Sequence, residues 1–564
     1  MASLAEIADV ALGDLPTLSK AATARAKKLL STLHGKDPNA MDAGSDEAFR
    51  EAWIMGVLAL QSNPRNEEAK AMLQMMQAAG MNDHAAHGPA NHDHAQCHDE
   101  KPANADAAHP HALDVVVVGA GCSGVGVGFA LTQVFGLAAD RVLLVDRGAG
   151  VGETFRRWPK EMRFISPSFN QQGWTESFDL NSIAYNTSPA FMLHAEHPTG
   201  DQYASYLEFV AQFAGLNVRP RTDVTAVRPL ADGFEVAVVT DGVAAVLTAR
   251  YVIWAAGEFQ APRGGADEPL FPGSELCRHN STVRSWADLE GDDFVVVGGY
   301  ESGMDAASNL ATNGKSCTVV SSTAYWNVTT ADPSAELAPF TGERLRVAAR
   351  TKTPPRLLAP LKVTAVEKDA DKGGFVVKAT WGPVVEHENC ALRAPMTKPI
   401  NWRPKNGGEI SLRTPQAPVL CAGFVGSVAK GAVRDLFAWG AADDDVVLEA
   451  GAEAEDLVIE EVAVEDVLDA KAAAGGGCAE GAPLLDEYDQ STKTPGLFLV
   501  GPAVRHGKLS FCFVYKFRQR FSIVADAIAR GLGKDTTDAV AQCRKTNMFL
   551  DDFECCQGSC QEGC

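Results

Sequence analysis

The chain has 564 residues, enough for several packed domains, and 46% of them are hydrophobic, which excludes general disorder. Its net charge of -22 weighs against nucleic acid and anionic membranes as partners. The opening MASLAEIADVALGDLPTLSK lacks the basic-then-apolar plan of a secretory leader, and no run of about 18 apolar residues occurs, so a soluble, cytoplasmic protein is expected.

Residues 1–80 repeat apolar positions at helical spacing in EAFREAWIMGVLALQ and NEEAKAMLQMMQAAG, with Asn63-Pro64 as the break. They read as a small helical module for docking or homodimerisation. Residues 81–113 carry seven of the 13 histidines, His84, His87, His92, His94, His98, His109 and His111, and read as a solvated linker, with transition-metal binding as the alternative. From Asp114 the pattern becomes strand, glycine loop and helix. This divides the rest into a first dinucleotide domain at 114–290 and a second at 291–400. Residues 401–535 return to the first domain and include an acidic insertion at 443–469, and 536–564 form a Cys-rich tail. The expected class is α/β, with two nested Rossmann-type dinucleotide-binding domains behind a small N-terminal helical module.

The chemistry sits in two glycine turns. DVVVVGAGCSGVGVGFAL runs a buried-type strand into Gly119, Gly121 and Gly124 and then a helix, whose first amides would face a pyrophosphate. The next strand, RVLLVD, ends in Asp146, an acid placed to accept from a ribose. DFVVVGGYESGMDAASNL repeats the plan with Gly298, Gly299, Ser302 and Gly303, but Tyr300 stands where the middle glycine belongs. Its second strand ends in Ser321 and Ser322 in place of an acid, which favours NADPH over NADH.

Together these motifs resemble the two-dinucleotide-binding-domain flavoproteins, which include flavin-containing monooxygenases and thioredoxin-reductase-like enzymes. The resemblance implies FAD on the first turn and NADPH on the second. YVIWAAGEFQAPR is similar to the strand and turn linking such domains, and TPGLFLVGPAVRHG resembles the strand that closes the FAD domain, with Gly501-Pro502 replacing the usual Gly-Asp. GETFRRWP resembles the Gly-Gly-Thr-Trp turn beside the flavin, which implicates Thr154 and Trp158.

The destination of the electrons stays open at this point. FPGSELCRHNSTVRSW resembles a monooxygenase linker fingerprint through Phe271, Gly273, His279 and Trp286. Hydride would then pass from NADPH to FAD and on to oxygen and a small substrate. Alternatively, the acceptor is a disulfide or a soft metal. Cys122 at a helix N-terminus would either have a favoured thiolate or be a small core-facing filler, and Cys512 and His506 would lie near the flavin. The tail thiols Cys555, Cys556, Cys560 and Cys564 would bind soft metals or relay electrons. A third reading is a non-enzymatic, flavin-bound metal or redox sensor. Arg156, Arg157 and Arg505 are either surface charges or clamps for NADPH phosphates.

Overall fold

Val115, Val116, Val117 and Val118 are buried in succession because their strand is central, with parallel neighbours on both sides. The computed structural model describes residues 23, 24, 27, 28, 111–168, 179–185, 187–327, 336–382, 408–440, 481–507 and 509–553. The chain divides into two units, Met1–Ala107 and Ala108–Cys564. Of the first, the four described residues are helical. The expected helical pair, the histidines from His84 to His109, the acidic insertion and the four tail cysteines lie outside the described residues. His111, at the end of the stretch read as linker, is buried at the foot of the first strand.

The second unit begins with β1 (Leu113–Val118), α1 (Cys122–Phe129), β2 (Val142–Val145), α2 (Gly200–Phe213) and β3 (Asn217–Arg219). A meander of β4 (Thr222–Pro229), β5 (Phe234–Thr240) and β6 (Val243–Trp254) follows. β6 pairs antiparallel with β5 along its first half and parallel with β1 along its second, so one long strand joins the meander to the parallel sheet. α2 starts where Thr199 and Gln202 form a reciprocal capping box.

A second parallel sheet has the order β11-β10-β9-β15-β8, from β8 (Arg278–His279), β9 (Asp293–Val297), β10 (Ser316–Val320), β11 (Arg356–Leu358) and β15 (Val419–Leu420). Its helices are α3 (Glu301–Thr312) and α4 (Pro339–Ala348). A second meander joins β12 (Leu361–Lys368), β13 (Phe375–Trp381) and β14 (Glu409–Thr414). The two halves repeat each other closely. β4 and β12 share the sequence VTAV, the same alternation of buried and exposed positions, and a register shift at Val224/Ala226 and Val363/Ala365.

The chain crosses between the halves twice. β7 (Ala261–Pro262) pairs antiparallel with β16 (Phe424–Val425), making a short ribbon. β17 (Leu497–Leu499) then adds to the first sheet beside the second half of β6. After a hairpin of β18 (Arg505–His506) and β19 (Leu509–Ser510), α5 (Val514–Gly531) packs on α1, followed by α6 (Thr537–Lys545). The contact between α1 and α5 is close because a Cβ at Gly126 would overlap the Phe521 ring. Among the described residues, no helix is long and apolar enough to cross a membrane.

Candidate functional site: two dinucleotide cradles and a hinge

The first glycine turn lies at the carboxyl ends of β1, β6 and β17, where open α/β sheets bind ligands. Gly119 has φ +108°, and a Cβ there would lie 2.5 Å from the Ala255 carbonyl oxygen. A Cβ at Gly124 would overlap the Gly119 carbonyl oxygen at 1.8 Å, so this glycine is required for helix and turn to meet. Gly121 differs, because a Cβ there meets nothing within 4 Å. No side chain caps α1 at Gly121, so its first amides are available to an anion. The Asp146 carboxylate accepts from Ala120 N at 2.7 Å and Gly148 N at 2.7 Å, fixing the turn while keeping lone pairs for a ribose. A dinucleotide diphosphate fits this cradle. Gly501, φ +106°, passes so near the start of α1 that a Cβ would be 2.6 Å from Ser123 Oγ.

The second turn copies this geometry. Gly298 has φ +105° and donates its amide to Val320 O, as Gly119 does to Val145 O. Cys421 at the end of β15 supports Gly298 as Ala255 supports Gly119, and Gly303 meets the Gly298 carbonyl as Gly124 meets Gly119. Tyr300 stands in the position that Gly121 leaves open. Its ring packs 5.0 Å from Tyr325 and its hydroxyl donates to Glu336 O at 3.1 Å. Ser302 lies in the first turn of α3 beside Glu301, whose carboxylate accepts from Ala338 N and Thr341 Oγ1. Ser321 follows β10 as Asp146 follows β2. It is buried under Gly299, and its hydroxyl donates to Thr323 O at 2.7 Å. Ser322 is the exposed residue at that strand end.

The stretch from Gly152 is tied to the first turn by the bond from Gly152 N to Ala120 O. Thr154 lies in its short helix, Glu153–Arg156. Trp158 joins Phe155, Phe164 and Tyr203 in an aromatic cluster. Arg156 pairs with Glu208 and Arg157 with Glu153. Further along, the Glu161 carboxylate accepts from Ser285 Oγ, Trp286 N and Ala287 N, and the Trp286 indole donates to Asp305 of α3. Desolvation raises the Glu161 pKa, but these bonds outweigh it and hold the carboxyl below its ordinary value. The first half is thereby fastened to the second.

The described thiols are not activated. Burial pushes Cys122 up to about 11, because desolvation outweighs the hydrogen bonds to Ser123, which favours the core-filler reading over the thiolate. Cys512 reaches solvent, yet partial desolvation still raises its pKa against the pull of Lys516. Cys122, Cys277, Cys317, Cys421, Cys512 and Cys543 are all free thiols. Among the described residues no group of three or more His, Cys, Asp or Glu is placed to hold a metal.

His506 is held in a buried network that sequence reading missed. Its Nε2 lies 2.5 Å from Asp489 Oδ1, and Asp489 takes both a 2.9 Å bond from Arg520 Nε and a 2.8 Å bond from Arg520 Nη2. Arg520 also donates to the backbone at Glu487 and Leu550, and the Phe553 ring stacks on His506. Only the alternation of arginines among aromatics in FVYKFRQRF hinted at such an arrangement. Glu258 was also passed over. It sits one residue after the AAG turn, and its carboxyl lies against Gly426 across the ribbon.

Comparison with known proteins gives a family match over part of the chain. Residues 116–391, just under half of the chain, match the pyridine nucleotide-disulphide oxidoreductase family. That span holds both glycine turns. The chain is 34% identical over 124 residues to indole-3-pyruvate monooxygenase YUCCA1 of Oryza sativa subsp. japonica, a match spanning 21% of this chain and 29% of the plant protein. Among solved structures, bacillithiol disulfide reductase of Staphylococcus aureus is 14% identical, with a TM-score of 0.49, covering 74% of this chain and 98% of that one. Ornithine N-hydroxylase of Kutzneria sp. 744 is 15% identical, with a TM-score of 0.49, covering 74% and 99%.

Proposed function

We propose that the protein is an FAD- and NADPH-dependent oxidoreductase of the monooxygenase type. Its first cradle would hold FAD through the amides at Gly121 and Cys122 and the carboxylate of Asp146. Its second would hold NADPH at the start of α3. The bound pair would supply hydride transfer and electron delivery to oxygen, while the protein binds, orients and desolvates them. The observation that carries the reading is the repeated cradle. Two turns of the same geometry, supported by Ala255 and Cys421, are joined by one ribbon. The oxygen branch is favoured over a disulfide branch because the described cysteines are all free and the thiol nearest the first turn, Cys122, is held protonated. The identity to the plant monooxygenase supports the same choice.

One observation favours a second reading, in which the tail thiols pass electrons to a disulfide or soft metal. The chain is anchored up to Phe553, which stacks on His506, and Cys555 follows two residues later. Anaerobic stopped-flow reduction of the full chain and of a form lacking residues 554–564 tests the readings together. Both forms should be reduced at the same rate by NADPH, and faster than by NADH. Turnover with a small disulfide acceptor should be negligible in both. Substantial disulfide turnover that vanishes with the tail would establish the second reading in place of the first.

A further inference from the structure

The ribbon between the two halves holds an ionisable side chain in an unusual place. Gly257 and Gly423 both have φ +78° and lead into its two strands. Ser427 N donates to Gly257 O at 3.1 Å and Arg263 N to Gly423 O at 3.2 Å, closing the ribbon at both ends. Glu258, ahead of β7, reaches Gly426, just past the end of β16. A Cβ at Gly426 would lie 2.1 Å and 2.5 Å from its two carboxylate oxygens. The other group acting on it is Arg505 of β18, just beyond the strand that closes the first sheet. Glu258 therefore follows the first crossing of the chain, lies against the second at Gly426, and feels the charge of Arg505 in the first domain.

We propose that Glu258 is a positioning residue whose carboxyl, seated on Gly426 and facing Arg505, sets the angle between the two dinucleotide domains according to whether it carries a proton. Desolvation raises its pKa above the ordinary 4.5, and Arg505 only partly opposes this. The described arrangement therefore binds the Glu258 proton more tightly than one in which the carboxyl meets water. By linkage its advantage is complete below pH 4.5 and declines as pH rises through the raised value. Glu161 acts in the opposite sense. Its lowered pKa makes its bonds to Ser285, Trp286 and Ala287 fail only in acid, below the ordinary value. The other charged groups around the ribbon are His279, bonded through Nε2 to Gly423 O, the Lys430–Glu268 pair, and Arg147 on Gln260. Burial lowers the His279 pKa, and its bond to the Gly423 carbonyl opposes the shift.

The proposed cofactors enter the test only as a readout. NADP+ affinity and solution X-ray scattering of the full, FAD-loaded chain would be followed from pH 5 to pH 8, for the unmodified protein, Glu258→Gln and Gly426→Ala. The unmodified protein should change NADP+ affinity by about fivefold or more across this range, with a matching change in scattering. Glu258→Gln should remain at the low-pH values throughout. Gly426→Ala, whose new methyl displaces the carboxyl, should resemble the high-pH form at every pH. FAD content should be unchanged in all three. Retention of the full pH response in Glu258→Gln, or identical scattering at both pH extremes in the unmodified protein, would overturn the proposal. If NADP+ binds none of the proteins, the second cradle is misassigned, and the scattering comparison decides the hinge on its own.

Discussion

Gly121→Val should give a folded protein that purifies without flavin. The space beyond the Gly121 Cα is open, with nothing within 4 Å of where a Cβ would sit, so the side chain starts in free space and the fold should hold. That same space is where a diphosphate would approach the amides of α1, and a branched side chain fills it. Gly124→Ala provides the contrast, because its methyl would overlap the Gly119 carbonyl oxygen. That variant should lose solubility or thermal stability as well as flavin. Flavin absorbance after desalting, beside circular dichroism and thermal melting, separates the cases. Full flavin occupancy in folded Gly121→Val would remove FAD from the first cradle.

Arg520→Ala should destabilise the protein by about 3–5 kcal/mol, the usual cost of leaving one member of a buried ion pair without its partner. Both Arg520 and Asp489 are fully buried, and the guanidinium also bonds the backbone at Glu487 and Leu550. Its removal strands a carboxylate and releases the segment that holds Phe553 against His506. Asp489→Asn keeps the shape and should cost less, since an amide oxygen still accepts from Arg520. Urea denaturation gives the energies, and limited proteolysis of residues 546–553 reports the release. An unchanged midpoint for Arg520→Ala would mean that the network is dispensable for folding.

The fold was legible in the sequence wherever local pattern and tertiary role coincide. Val115–Val118 and Phe294–Val297 read as buried strands because they are apolar throughout, and the glycines at 119 and 298 mark the tight turns that must follow. Gly124 and Gly303 were legible for the same reason: each is dictated by its own turn. Groups whose state depends on partners far along the chain were not. Cys122 has a helix start that favours a thiolate, but its packing sets the opposite sign. Glu258 and Gly426 are 168 positions apart, and Asp489 meets Arg520 only because a hairpin and a helix intervene. The duplication of the meanders was visible in the repeated VTAV of Val224–Val227 and Val363–Val366, a signal obscured by the 139 positions that separate the copies.

The central claim is that electrons taken from NADPH by the flavin go to oxygen and a small substrate. The direct measurement reduces the purified protein with one equivalent of NADPH without air, mixes it with oxygenated buffer, and follows the flavin spectrum while titrating released peroxide. The expected result is a long-lived absorbance phase distinct from both oxidised and reduced flavin, with peroxide appearing only as that phase decays. Immediate return of oxidised flavin with stoichiometric peroxide, or a reduced flavin that oxygen barely touches while a disulfide reoxidises it, would contradict that claim.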